Sequence, residues 1–174
     1  MARPIRIQTP AEVADLRRRL DESEQRALLV LTDLATHPNA LERLKFERLG
    51  YDPIEADRRE NLLEQVNQQA TYEAAYSALV VLMERHPHKT WVFAPGSHGD
   101  GHDIEADDGS VAAEVFAAVH PKNNRKLSSD IAKLEKSAGV EHRYVFFRSP
   151  ATEAHEERRD DVLVVALPPR MSRP

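Results

Sequence analysis

The chain contains no cysteine, which excludes a disulfide framework, a thiolate metal site and a cysteine nucleophile together. Long apolar runs are missing as well. The longest, Ala27 to Leu31 and Ala78 to Met83, fall far short of the roughly 20 residues that a bilayer span takes. The start MARPIRIQTP carries positive charge without an apolar stretch behind it, so no secretory signal is expected and the cytoplasm is the expected location. Aromatic residues make up only 6%, leaving Leu, Val and Ala to fill most of the interior. A surplus of positive charge is also lacking: the formal net charge is -5, which argues against a nucleic-acid coat protein held by counterion release. There is no Walker loop, no GxSxG elbow and no HExxH, and SHGDGHD is followed by no helix that would make it a nucleotide-binding fingerprint.

What is present is an ordinary globular composition, 41% hydrophobic and 30% charged over 174 residues. That length suits one domain with one core. Helical periodicity fills the first half. Thr9 as cap, Pro10 at the first helical position and Glu12 in the first turn open a helix expected to reach about Thr36. A short helix over 40–49, stopped by Gly50, and a long one over 59–85, closed by His86-Pro87, follow. After Lys89 the period changes to two. Strands are expected at 90–93, 102–105 and 111–119, the last two joined as a hairpin by Asp107-Asp108-Gly109. Asn124 is the expected cap of a further helix with Leu127, Ile131 and Leu134 as its core stripe and Gly139 beyond its end. Strands at 144–147 and 162–167 complete the order, with the acidic stretch between them expected as a mobile loop. The fold class is α/β, with helices on a mixed sheet: a single domain over 1–174, divided into an N-terminal helical extension (1–58) and a core (59–170).

Charge is segregated along the chain. Lys122 to Lys136 holds five basic and two acidic residues, and Glu153 to Asp161 five acidic and two basic, so only the first can face a phosphate. Glu114 stands out because its neighbours in AAEVFAAV are small or apolar, and a charge facing inward there is costly unless it is paired or metal-bound. Asp103 is expected on the preceding strand, with ten residues between the two, enough for a hairpin to fold back and bring both carboxylates to one hard cation.

GHDIEADDGSVAAEVFAAV followed by NNRKLSSDIAKL resembles the hairpin, acidic pair and following helix of the PD-(D/E)xK, or restriction-endonuclease-like, nuclease superfamily. GYDP, LLEQVNQQATY, AEVFAAV and NNRKL resemble a small bacterial family of that fold, and the resemblance covers roughly 46–148. It implies an αβββαβ core and Mg²⁺ or Mn²⁺ held by Asp103 and Glu114 for cleavage of DNA phosphodiesters. Phe116 stands where the superfamily has its lysine, and some members appear to carry that charge on the following helix, which makes Lys126 the expected substitute. Lys122, Asn124 and Arg125 are expected phosphate contacts near a helix N-terminus. Glu64, with Gln68 one turn later, is the expected accessory acid on the helix before the sheet.

Two alternatives stay open. His98 and His102 flank the glycine-rich turn and, with Asp103, form a second possible metal set of nitrogen and oxygen donors suited to Zn²⁺. The chain is otherwise a non-catalytic binding or assembly module that keeps the nuclease fold, with protein partners and a homodimer through the N-terminal helices. Position 116 and the acidic net charge favour that alternative.

Overall fold

A computed structural model describes residues 4–55, 57–95, 101–121 and 125–169. The N-terminal segment gives a short strand β1 (Ile5–Ile7) and then helix α1 (Pro10–Leu34), whose start is the capping box expected from Thr9 and Glu12. The Thr9 hydroxyl accepts from the Glu12 N–H, and the Glu12 carboxylate accepts from the Gln8 and Thr9 N–H groups. Helix α2 (Ala40–Phe46) ends sooner than its pattern suggested. Gly50 does not simply stop it; it opens a two-residue strand β2 (Gly50–Tyr51) that pairs with β3 (Arg59–Glu60). Helix α3 (Leu62–Arg85) therefore starts three residues later than expected, on an Asn61 cap whose side chain accepts the Leu63 N–H.

The main sheet has seven strands in the order β1-β4-β5-β6-β7-β9-β8. Strands β4 (Trp91–Phe93), β5 (Ile104–Ala106) and β6 (Val111–Ala117) run as an antiparallel meander, with Gly109 at φ 73° in the β5–β6 turn. Helix α4 (Lys126–Glu135) then crosses over, so that β7 (His142–Arg148) lies parallel to β6. Strand β9 (Val162–Ala166) is parallel to β7, and β8 (His155–Arg159) pairs antiparallel with β9 at the edge. The stretch expected as a mobile loop is thus partly an edge strand. Its five exposed residues, HEERR, give an apolar pattern no foothold, while their charge suits an edge that must resist further pairing. Strand β1 also lies in this sheet, although 1–58 was expected to be helical throughout.

Alternation along β6 divides the two sides of the sheet. Val111, Ala113 and Val115 pack with Leu16 and Leu20 of α1 and with Tyr76 and Leu79 of α3. Ala112 and Phe116 face Leu127 and Leu134 of α4. Phe116 stacks on Phe147 with ring centroids 5.6 Å apart, so the position where the family lysine was sought is a core position. Glu114, between Ala112 and Phe116, shares the α4 side.

The small β2–β3 ribbon is fastened by one buried amide. Gln65 donates to the Ser23 carbonyl and hydroxyl at 3.0 and 2.7 Å and accepts the Tyr51 N–H at 3.0 Å. A Cβ on Gly50 would stand 2.7 Å from that Gln65 oxygen and 3.2 Å from the Leu62 backbone. Gly50→Ala is therefore expected to cost about 2 kcal/mol through overpacking and a displaced Gln65, measurable as a lower urea midpoint at unchanged slope.

Candidate functional site

The site is assembled where the β5–β6 hairpin meets α4. Ile104 pairs with Ala113 in the ladder, and Asp103 directly precedes β5, opposite the Glu114–Val115 stretch of β6 to which it hydrogen-bonds. Asp103 ties the two flanking strands together: its carbonyl accepts the Ala94 N–H and its Oδ2 the Val115 N–H, both at 2.9 Å.

Glu114 is 2% exposed and its Oε1 carries two close contacts. His102 Nδ1 lies at 2.6 Å and Lys133 Nζ at 2.7 Å. Lys133 also donates to the Gly101 carbonyl at 2.6 Å, and His102 Nε2 meets the Ser137 hydroxyl at 2.8 Å. The His102 main-chain N–H donates to Glu105 at 2.9 Å. A cavity of about 760 Å³, lined by His102, Glu105, Ser129, Lys133, Lys136 and Ser137 among others, reaches these partners from outside.

Helix α4 presents a polar stripe beside its core stripe. Lys126, Asp130 and Lys133 recur at intervals of four and three, while Leu127, Ile131 and Leu134 pack on the sheet. Lys126 Nζ contacts Asp130 Oδ1 at 2.7 Å. Burial pulls the Lys126 ammonium down, but the hydrogen bond to Asp130 and the charges of Asp130, Asp103 and Glu114 outweigh it and hold it above its ordinary value. Burial pushes the Asp130 carboxyl up against the pull of Lys126, with Glu114 adding to the rise. Asp130 is 3% exposed, and its Oδ2 is buried without a hydrogen-bond partner.

The expected residues divide accordingly. Asp103, Glu114 and Lys126 are brought together, and Arg125 stands exposed before Lys126 at φ 54°. Lys122, Asn124 and His98 lie outside the described residues. Glu64 and Gln68 do not join the site. They sit on α3, which covers the opposite side of the sheet, and they hydrogen-bond each other at 3.2 Å near the protein surface. The shared helical spacing of Glu64 and Gln68 was real, but it belongs to a different acidic group.

His102 reaches the site from the pair expected as loop ligands, yet its two nitrogens are engaged by Glu114 and Ser137. Among the described residues no group of three or more His, Cys, Asp or Glu side chains is placed to hold a metal ion. Sequence reasoning missed Asp130, Lys133 and Ser137. The signal was there in the recurrence of 126, 130, 133 and 137 along one helical stripe, but nothing in the chain says which of two lysines two turns apart reaches a strand carboxylate.

The donor set is of the kind a hard divalent cation takes: the carboxylates of Asp103, just before β5, and Glu114 on β6 offer oxygens, the ligands that Mg²⁺ and Mn²⁺ prefer, and the nearby Asp130 keeps a buried oxygen unsatisfied. Comparison of the chain with protein-family models, with curated proteins and with solved structures finds no match.

On the α3 side, Glu60 is 8% exposed and its Oε1 has no hydrogen-bond partner. Burial, reinforced by the neighbouring charge of Asp52, pushes its carboxyl up to about 7; the Gln68 amide and Arg58 pull the other way, and Glu64 adds a smaller push. The fold thus prefers protonated Glu60. That stabilisation is complete below the ordinary value near 4.5 and is lost as pH rises through about 7. Glu60→Gln is expected to remove this loss, making the variant more stable than wild type at pH 8 by on the order of 2 kcal/mol and nearly equal to it at pH 4.5, as measured by urea unfolding at the two pH values.

Proposed function

We propose that this chain is a nuclease-fold protein of restriction-endonuclease-like type that acts on DNA phosphodiesters with a divalent cation. The observation that carries the reading is that Asp103, fixed to the Val115 N–H, and Glu114 both bear electrostatically on Lys126 of the helix that follows, while Lys133 of that helix contacts Glu114. The element order α3, β4, β5, β6, α4, β7, with an antiparallel meander and one parallel crossover, supports the same reading.

Asp103 and Glu114 would hold Mg²⁺ or Mn²⁺, with water or a phosphate oxygen completing the shell, since no third His, Cys, Asp or Glu among the described residues is placed to do so. When bound, such an ion supplies charge neutralisation at the attacked phosphate and a more acidic water. The chain's own residues supply the rest. Asp103, fixed by the Val115 N–H, keeps its carboxylate at the strand edge. Lys126 and Lys133 bring to the site the positive charge that Phe116 cannot, and Lys126 stays protonated at neutral pH. The exposed Arg125 guanidinium beside them suits a phosphate of the bound strand.

Asp103→Asn keeps an acceptor for the Val115 N–H while removing the charge. It is expected to lower Mn²⁺-dependent cleavage of duplex or single-stranded DNA by about 100-fold with the melting temperature little changed. Cleavage at the wild-type rate would refute the assignment.

A second reading has its own observation. Of the eight large hydrophobic residues exposed among the described residues, seven (Leu28, Leu29, Leu31, Leu41, Phe46, Leu63 and Val66) lie on α1, α2 and α3. Leu28, Leu31 and Val66 border a groove of about 320 Å³ between α1 and α3. Such clustering marks an interaction surface, and a homodimer through these helices is the occupant that a binding or assembly module would use. Leu28→Glu with Val66→Glu is expected to convert a dimer to monomer in sedimentation velocity. A monomeric wild type would end this second reading and leave the first untouched.

A further inference from the structure

Glu114 is a buried carboxylate that the fold has already neutralised. Its Oε1 takes the Lys133 ammonium at 2.7 Å and His102 at 2.6 Å, inside a side-chain environment only 3% exposed. Lys133 is 30% exposed and has a second anchor, the Gly101 carbonyl at 2.6 Å. It can therefore release Glu114 without leaving the site. Lys126, the other cation of the stripe, is committed to Asp130.

We infer that Lys133 is the built-in counter-cation of Glu114, occupying the carboxylate that a divalent ion takes, so that ion binding exchanges one cation for the other and turns Lys133 toward the substrate phosphate. The inference rests on the nuclease reading above and adds the antagonism between lysine and metal. Three features carry it. A carboxylate this buried needs a cation beside it at all times, and Lys133 is that cation. Two cations cannot both sit against one oxygen pair at full strength, because their mutual repulsion grows as water is excluded. The cavity that reaches His102 and Lys133 gives the displaced ammonium a wet space to enter while its stem keeps packing on α4. Ion binding at this site is consequently weaker than its carboxylates alone would give, and a substrate phosphate, by accepting the released ammonium, strengthens it.

Titration of Mn²⁺ by calorimetry into wild type, Lys133→Gln, Lys133→Arg and Glu114→Gln tests this, with each protein first checked for folding by circular dichroism. Lys133→Gln is expected to bind Mn²⁺ about tenfold or more tightly than wild type, as loss of a close like charge requires. Lys133→Arg should bind as wild type does, and Glu114→Gln should not bind. Equal or weaker binding by Lys133→Gln overturns the inference while the nuclease reading stands. Absence of Mn²⁺ binding from both wild type and Lys133→Gln overturns both. The wild-type protein gives a readout that needs no variant: the Lys133 side-chain ammonium resonance should be visible in metal-free protein and shift on addition of Mg²⁺, and a resonance that stays in place while Mg²⁺ binds overturns the exchange.

Discussion

A carboxylate buried in the middle of a strand must be compensated, because an uncompensated charge there costs several kcal/mol. Glu114 stands on β6, the strand that joins the antiparallel half of the sheet to its parallel half. Compensation arrives from three directions: His102 from the segment before β5, Lys133 from α4, and Ser137 from the end of that helix through His102. Each partner is held by something else in turn, Lys133 by the Gly101 carbonyl and the His102 backbone by Glu105. Lateral and rotational placement of α4 on the sheet is thus set by charge as well as by Leu127 and Leu134. Moving the helix by one turn would keep an apolar stripe on the sheet but would remove Lys133 from Glu114.

The phenyl ring at position 116 can be understood in the same terms. On the α4 side, Phe116 stacks with Phe147 and borders the cluster that includes Leu127 and Val145. A ring pair of this kind contributes about 1 kcal/mol beyond the area it buries. A lysine at the same point would need its ammonium carried out through that cluster. The charge is available instead from a helix whose stems run over the surface of the core and whose heads reach the strand edge, which is how long basic side chains usually reconcile apolar packing with polarity. Packing and electrostatics therefore agree on where the positive charge belongs.

Much of this was legible in the sequence, and the unequal legibility has physical causes. The β5–β6 hairpin and the start of α1 at a Thr9 cap follow from short-range rules of turn chemistry and capping, and the structure has them. Strands β1, β2, β3 and β8 were missed because two or three residues, or a wholly charged edge such as HEERR, carry no periodicity. Glu64 was placed in the site because residues sharing a helical stripe can point either to solvent or into a cleft. Which side of the sheet α3 covers depends on the handedness of the whole crossover and on Tyr76, Leu79 and Leu82, not on the stripe that carries Glu64. Lys133 was missed for a related reason: Lys126 and Lys133 lie on one stripe, and only the register between helix and strand distinguishes them.

That register also decides what kind of site this is. If Asp130 and Lys126 had been paired at the surface, they would contribute little and could turn freely. Instead Asp130 is 3% exposed, with one oxygen on Lys126 and the other unsatisfied. Burying an unsatisfied carboxylate oxygen beside a second buried carboxylate is a cost with no return in the folded chain alone. Folding tolerates such costs where the polar atoms are aimed at something that arrives later. Along the α4 stripe two buried acids, Glu114 and Asp130, meet two partly exposed lysines, with an open cavity alongside. The incomplete satisfaction of that one oxygen distinguishes Asp130 from the carboxylates of a solvated helix face.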